Sequence, residues 1–377
     1  MPDGRAPAEL VAAVEAEASA HAEAWFPELD TRRLRTRLLA TDARARCFLH
    51  RFELADGRSR RTVVVKVRHS RPELRRLDRF EGRPVLNPER TMSDDETARR
   101  EYDGLLAIAH ALGGCDEDRF GVLRPLAWLP MHSAIVMDLV QEPTLRHRLL
   151  ETSRLRRRRR PPMDETAWVN AGSWLRRFHD VDPGHSLPAR VETGDQVAQL
   201  YTAYAEFLAR RGAPSSFTTC LIDGAVDLSA RAFLTDLPLA PGHGDFVANN
   251  MFAGPSGRIT VFDPLTRWRV PRYQDIATLT VGIRVLPVQS ASQGVALPGA
   301  DLERYEDAVL AGYFDAERVP LAAVRGYQLL VLLDRWSATV GKRHSQGTVR
   351  PGLHEVRVRL ASRHYHREAQ RLLRLLG

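Results

Sequence analysis

The stretch PGHGDFVANNMF (241–252) sets a carboxylate, Asp245, five positions before an amide, Asn250, on a segment too rich in Gly and Asn for a regular element. Thirteen residues further on, Asp263 ends the run RITVFD, which reads as a short strand. These residues supply a carboxylate that can orient a hydroxyl, and an amide oxygen and a second carboxylate that can hold Mg²⁺. Phosphoryl transfer needs those parts and little else, because its catalysis is mostly positioning and charge neutralisation. Mg²⁺ takes hard oxygen ligands, with water and phosphate oxygens completing its shell. Taken singly, each residue has a plainer explanation, Asp245 and Asn250 as turn formers and Asp263 as a loop cap. Only the set points to chemistry.

A lysine supplies the second clue. Of the 55 Lys+Arg residues, only Lys66 and Lys342 are lysines. Lys66 lies inside the apolar, β-type run RTVVVKVRHS (61–70). A lysine is a compact, mobile point charge suited to a phosphate oxygen in a tight space, whereas arginine is a flat fork. An exposed strand position would accept either.

Composition narrows the class. The chain has 377 residues, 44% apolar and 27% charged, as in a soluble protein with a substantial core. Its length suggests more than one globular unit. No apolar run approaches the ~18 residues of a membrane span. The Ala/Glu-rich N-terminus has neither the basic nor the apolar segment of a signal peptide, and reads as a surface helix. Cys47, Cys115 and Cys220 show no metal spacing, so a reducing, cytoplasmic setting is expected. The net charge of +8 comes wholly from residues 321–377, which hold eleven Lys/Arg against three acids.

The elements divide into two kinds. RLRTRLLATDARARCFLHRFELADGRSRRTVVVKVRH (33–69) predicts two or three strands, with ADGR (55–58) as a hairpin turn. An arginine-rich stretch without periodicity, roughly 68–91, follows. SDDETARREYDGLLAIAHALGG (93–114) then predicts a helix, opened by a capping box of Ser93 and Glu96 and stopped at Gly113-Gly114. VLRPLAWL (122–129) and SAIVMDLV (133–140) read as two more strands. After Val140 the pattern turns helical, at TLRHRLLE, ETAWVNAGSWLRRFHDVD, QVAQLYTAYAEFLARRG and SARAFLTDL. The strand pair NMFAGPSGRITVFDP (250–264) interrupts it. An α+β architecture of two lobes is expected, 1–138 strand-rich and nucleotide-binding, 139–377 helical with the catalytic loop and acceptor site. Internal repeats are absent.

HGDFVANN (243–250), followed by VFDP (261–264) and RYQDIATL (272–279), resembles the catalytic core of the aminoglycoside phosphotransferase and choline kinase-like family, which has a protein-kinase-like fold. LRRFHDVDP (175–183) is similar to that family's His-bearing helix end, and AIVMDLVQEPTL (134–145) to its strand-to-hinge passage. The resemblance covers roughly residues 46–279. It implies a small antiparallel N-lobe, a mainly helical C-lobe, and an enzyme that moves the γ-phosphate of Mg·ATP, with GTP possible, to an alcohol group. It further implies Asp245 as catalytic base, Asn250 and Asp263 as Mg²⁺ ligands, and Lys66 against the α/β-phosphates. Met137, Asp138, Leu139 and Val140 become the nucleotide hinge, and His243 and Asp275 braces of the loop. Lys66 then needs an acidic partner. Glu96 is accounted for by the capping box, while Glu101 shares the helix's apolar face with Leu105, Ile108 and Leu112. A carboxylate on a buried face requires a cation, so Glu101 is the expected partner.

One feature departs from the kinase pattern. The loop expected to hold the triphosphate, TDARAR (41–46), has Ala43 and Ala45 but no glycine. Small residues and an arginine could serve there, or the site could be that of a non-catalytic pseudokinase. The acceptor is also open. EVRVRLASRHYHREAQRLLRLLG (355–377) sets Arg363, Arg367, Arg371 and Arg374 along one helical ridge, beside a packing stripe of Tyr365, Ala369, Leu372 and Leu376. RLRRRRRPP (154–162) and Arg267, Arg269 and Arg272 add further cations. Such ridges are either solvated faces or a sign that the acceptor is neutral or anionic, not polycationic. A hydroxyl-bearing small molecule (sugar, antibiotic or anionic metabolite) leads. A lipid-linked or macromolecular acceptor, on a membrane surface or nucleic acid, is the alternative; the basic loop has no interleaved aromatics to favour nucleic acid.

Overall fold

The computed structural model describes residues 6–44, 46–69, 82–87, 92–114, 116–158, 160–181, 186–233, 236–341 and 351–377. Lys342, Ala45, Cys115, Asp182 and Pro183, with most of the arginine-rich stretch 68–91, lie outside these residues. Helix α1 (Ala8–Trp25) buries Leu10, Val14, Ala18, Ala22 and Trp25 at near-helical spacing. That stripe packs on a sheet, so the surface helix expected from the sequence has one covered face. The region of two or three expected strands holds three: β1 (Arg35–Ala43), β2 (Cys47–Ala55) and β3 (Arg60–Arg68). Next come α2 (Asp94–Leu112), β4 (Phe120–Gly121), β5 (Pro125–Leu129) and β6 (Ala134–Asp138). Five of these strands form an antiparallel sheet in the order β1-β2-β3-β6-β5.

Strand β3 is the sheet's centre, and its side chains alternate in destination. Val63 and Val65 enter the core beneath α1. Val64 belongs to the opposite face, where Tyr102 of α2 and Leu105 pack. Lys66 and Arg68 share Val64's parity and so face α2 as well. Helix α2 buries Ala98, Glu101, Leu105, Ile108 and Leu112. The Ser93 hydroxyl accepts from the Glu96 amide at 3.0 Å, but the Glu96 carboxylate pairs with Arg100 instead of reaching back. Only half of the expected capping box forms.

The second half is built from α3 (Leu145–Glu151), α4 (Thr166–His179), α5 (Gly194–Arg210), α6 (Ser215–Asp223) and α7 (Ala225–Ala232). The short strands β7 (Leu239–Pro241), β8 (Met251–Ala253), β9 (Ile259–Val261) and β10 (Arg269–Pro271) follow. The remainder is α8 (Tyr273–Arg284), α9 (Pro287–Ala291), α10 (Gly299–Phe314), α11 (Leu321–Gly341) and α12 (Pro351–Leu376). One large core holds these helices around Trp168, Trp174, Tyr201, Tyr305 and Trp336. Helix α6 was not expected from the sequence, and the helix expected at SARAFLTDL starts earlier and ends at Ala232. In α12, Tyr365, Ala369 and Leu372 are buried and Leu376 packs against them, as the stripe predicted. The arginine ridge is partly tied down: Arg367 donates to the Gln293 carbonyl and Arg371 to Glu368.

Packing runs across the 138/139 division. Ile108 and Leu112 at the end of α2 belong to the helical core, as does Leu86 from the arginine-rich stretch. Arg83 donates to the Asp334 carboxylate at 3.1 Å and to the Ser337 hydroxyl at 3.1 Å, while the Tyr204 hydroxyl donates to Asp334 at 2.7 Å. Residues 82–87, between the Lys66 strand and the Glu101 helix, are thereby anchored on α11. No helix among the described residues is long and apolar enough to cross a membrane.

The hairpin joining β2 to β3 closes on Asp56, whose carboxylate accepts from the amides of Asp30, Arg58 and Ser59. These amide bonds hold the Asp56 carboxyl down at about 2. The ordinary value is ~3.9, so the charged form stabilises the fold above that pH and the contribution disappears as pH falls toward 2. Thermal unfolding of wild type and Asp56→Asn should differ most at about pH 6 and converge by about pH 2. A gap that stays constant over that range would contradict the assignment.

Candidate active site

Four charges meet where β3 faces α2. Lys66 Nζ lies 2.6 Å from Glu101 Oε1 and 2.9 Å from Asp263 Oδ1. Arg68 donates from Nε to Glu101 Oε2 at 3.0 Å and from Nη2 to Asp263 Oδ1 at 2.7 Å. Two cations and two carboxylates thus form a closed, locally neutral ring. Burial opposes the charge on Lys66, but Asp263 and Glu101 outweigh it and hold the ammonium above its ordinary range. Burial likewise opposes ionisation of Asp263, and Lys66 and Arg68 reverse that, holding its carboxyl far below the usual carboxylate range. Two backbone features bring the ring together. Gly104 lies one turn past Glu101, and a Cβ there would stand 3.0 Å from the Pro264 ring, so glycine lets α2 close on the Asp263 turn. Asp263 itself adopts φ +62°, uncommon for a residue other than glycine and typical of strained functional positions.

Asp245 and Asn250 lie on the loop after β7. Asn250 Nδ2 donates to the Asp245 carbonyl at 3.0 Å and to its Oδ2 at 2.8 Å. That arrangement turns the Asn250 amide oxygen away from Asp245. The Asp245 loop and the Asp263 turn run side by side, since Phe262 N donates to Asn250 O at 3.0 Å and Leu265 N to His243 O at 2.8 Å. Gly244 makes that approach possible: its φ is +86°, and a Cβ would fall 2.5 Å from the Leu265 carbonyl oxygen. Asp275, at the start of α8, accepts from His243 N at 2.8 Å and lies 3.3 Å from His179 Nε2. His179 Nδ1 is 2.7 Å from the Tyr313 hydroxyl. His243 is fully buried among Trp174, Phe178 and Phe246, and burial keeps its imidazole below the ordinary value and therefore neutral.

These residues fit a magnesium–nucleotide pair. The Asp263 Oδ2 atom and the Asn250 amide oxygen accept no hydrogen bond from the described residues, so each is a hard oxygen open to a cation. No three His, Cys, Asp or Glu side chains cluster as a self-sufficient metal site among the described residues. An ion held by two protein oxygens would therefore rely on phosphate and water for the rest. The hinge residues lie at the end of β6: Met137 is buried, the β3–β6 ladder stops at Asp138, and Leu139 N bonds the Asp138 side chain. Leu139 and Val140 continue beyond the sheet. The loop between β1 and β2 is short, with the ladder running to Ala43 and Phe48 and Arg44 N donating to Cys47 O.

Arg68 and Tyr313 are absent from the residues singled out in the sequence, and His179 entered only as the histidine of LRRFHDVDP, without a partner. Period-two spacing from Lys66 marks Arg68 as sharing its face, a signal already present in VVVKVR. The Tyr313 contact has no such signal, because the residues are far apart in the chain.

No protein-family model and no curated protein matches this sequence. Solved structures do. A protein from Ralstonia eutropha JMP134 assigned as an aminoglycoside phosphotransferase is 14% identical, with a TM-score of 0.53 over 94% of this chain and 97% of that one. A macrolide 2'-phosphotransferase of type I is 12% identical, with a TM-score of 0.51 over 95% of this chain and 97% of the other. The chain has their fold, the protein-kinase-like fold expected from HGDFVANN, VFDP and RYQDIATL.

Removing the Glu101 charge leaves two buried cations to share Asp263. Breaking a buried pair typically costs ~3–5 kcal/mol, and because Asp263 remains, Glu101→Gln should cost about 3 kcal/mol in denaturant unfolding. Glu96→Gln, on an exposed pair, should cost ~0.5 kcal/mol or less. Equal, small losses would mean that Glu101 is not the buried partner.

Proposed function

We propose that the chain is a phosphotransferase that moves the γ-phosphate of Mg·ATP, with GTP as the alternative donor, to a hydroxyl of a small molecule. The observation that carries this reading is the pairing of one loop with one turn. Asp245 and Asn250 share a hydrogen-bonded loop held against the Asp263 turn, and Asp263 is bonded to the lysine of β3. The fold, shared with a macrolide 2'-phosphotransferase, supports the same reading.

In this reading Lys66 binds the α/β-phosphates while Glu101 keeps its ammonium oriented. Met137 to Val140 receive the base. Asn250 and Asp263 hold Mg²⁺, which when bound neutralises charge on the phosphates. Asp245 accepts a hydrogen bond from the acceptor hydroxyl, aligns its oxygen with the γ-phosphorus, and takes the proton as the new O–P bond forms and the bond to the β-phosphate oxygen breaks. The Asn250 amide fixes the rotamer of Asp245 for that task. His243, buried and neutral, and Asp275, which accepts from the His243 amide, hold the loop in place. The cationic 321–377 segment and the exposed Arg156, Arg157 and Arg158 favour a neutral or anionic acceptor over a polycation.

ADP release under Mg·ATP, measured across sugars, antibiotics, nucleosides and phosphorylated metabolites, tests the reading. Turnover with at least one acceptor is expected. Nucleotide binding without turnover on any acceptor class would favour a non-catalytic nucleotide binder.

Three substitutions separate the roles. Asp245→Asn should lower turnover by ~10²–10⁴-fold while Mg·ATP binds as in wild type. Retention of more than about a tenth of the rate would remove Asp245 from the base position. Asp263→Ala should weaken Mg·ATP binding as well as rate; unchanged affinity at saturating Mg²⁺ would exclude it as a ligand. Lys66→Arg keeps the charge but adds bulk to a buried, closed ring, so it should cost ~1–3 kcal/mol of stability and roughly tenfold or more in rate, equivalent to ~1.4 kcal/mol of transition-state stabilisation. Steady-state kinetics and unfolding of the same preparation check both, and full activity would mean that any cation serves at position 66.

A further inference from the structure

Arg68 is more deeply placed than a strand-end arginine needs to be. Its side chain is 9% exposed. Nε and Nη2 donate to Glu101, and Nη2 also reaches Asp263. A guanidinium carries five N–H groups, and the two on Nη1 reach no acceptor among the described residues. Lys66 uses two of its three N–H groups, on Glu101 and Asp263. Two adjacent cations on one face of β3 therefore each keep donors beyond those that close the ring.

The hairpin tip above them supplies little. It has no glycine, and among its described residues Arg44 N already donates to Cys47 O while the Ala43–Phe48 pair continues the ladder. A triphosphate held here would meet no glycine-rich loop, whose backbone donors approach phosphates closely, and would find Arg44 N already engaged. A divalent ion would also compete with Arg68 for the Asp263 carboxylate. A guanidinium released from Asp263 stays attached to Glu101 and is left turned toward the phosphates.

We propose that Arg68 is a second phosphate-binding cation of this site. It shares Asp263 with Lys66 and then turns to a phosphate oxygen while Glu101 retains its Nε, doing for the phosphate chain what loop amides do elsewhere. The proposal rests on the nucleotide-binding reading of the site. Its distinguishing consequence is that the contribution of Arg68 grows with the number of phosphates, because an adenosine moiety at the hinge has no contact with β3's charged end.

Isothermal titration of the purified chain with Mg·ATP, Mg·ADP and AMP tests this, using wild type, Arg68→Gln and Arg68→Lys. Arg68→Gln should bind Mg·ATP about tenfold or more weakly, as loss of a charge-assisted bond implies. It should bind Mg·ADP with a smaller loss and AMP within about twofold of wild type. Arg68→Lys keeps the charge beside Glu101, so it preserves the fold if Arg68→Gln does not. One nitrogen cannot serve Glu101 and a phosphate as a fork does, so its losses should follow the same order at smaller size. Unchanged Mg·ATP affinity in these variants overturns the role of Arg68 and leaves the site reading intact. Equal losses for all three nucleotides overturn it too, since that pattern belongs to a residue that only shapes the cleft. A wild-type chain that binds none of the three overturns both readings.

Discussion

A neutral ring of four charges, with Lys66 and Glu101 buried and Arg68 and Asp263 partly so, organises this protein. Desolvating a single ammonium or carboxylate costs several kcal/mol even after relaxation, and such groups persist in an interior only when each is paired and hydrogen-bonded. Lys66, Arg68, Glu101 and Asp263 satisfy that condition together and none satisfies it alone. Their positions are therefore mutually dependent: strand β3, helix α2 and the Asp263 turn must approach from three directions for any of them to be stable. The ring joins the sheet, the helix that lies on it and the helical half of the chain.

Much of the surrounding structure can be understood as support for that approach. The apolar side of α2 carries Glu101 among Leu105, Ile108 and Leu112, so packing drives the carboxylate inward as the helix docks. Gly104 removes the side chain that would keep the helix off Pro264, and Gly244 does the same between the Asp245 loop and Leu265. Behind that loop the chain Tyr313–His179–Asp275–His243 runs through the helical core and ends on a backbone amide. A loop whose only regular piece is the single turn Ala248–Asn250 is thus tied, through Asp275, to a hydrogen-bonded chain that spans three helices. Arg83 and Leu86 carry the same logic across the molecule, anchoring residues 82–87 on the far helices.

The charge balance of the ring bears on chemistry. A ring that is neutral by itself becomes cationic when a divalent ion joins it, and that excess attracts a polyanionic phosphate chain. Beside side chains as buried as Lys66 and Glu101, such a potential would be screened less than on the surface. The exposed arginines are a weaker argument. Arg367 and Arg371 on the C-terminal ridge bond Gln293 and Glu368, so part of what looks like a free basic surface in the sequence is structural.

What the sequence determined by itself was local chemistry and periodicity. Alternation in VVVKVR marked a strand, the spacing of Glu101 with Leu105, Ile108 and Leu112 marked an inward-facing carboxylate, and the Asp245, Asn250 and Asp263 set marked a loop and a turn that pack side by side. Each signal depends on neighbours within a few turns or strand positions, which is the range over which backbone geometry correlates residue types. Tertiary structure decided the rest. Glu96 formed half a capping box because Arg100 competed for its carboxylate, and α6 formed without a clear sequence signal because it packs beside α5 and α7. The second cation of the ring had its period-two cue, yet its meaning came only from Asp263, 195 positions away. Pairing across such distances follows from how lobes dock, and no local pattern in the chain encodes which arginine, among fifty-three, will meet which carboxylate.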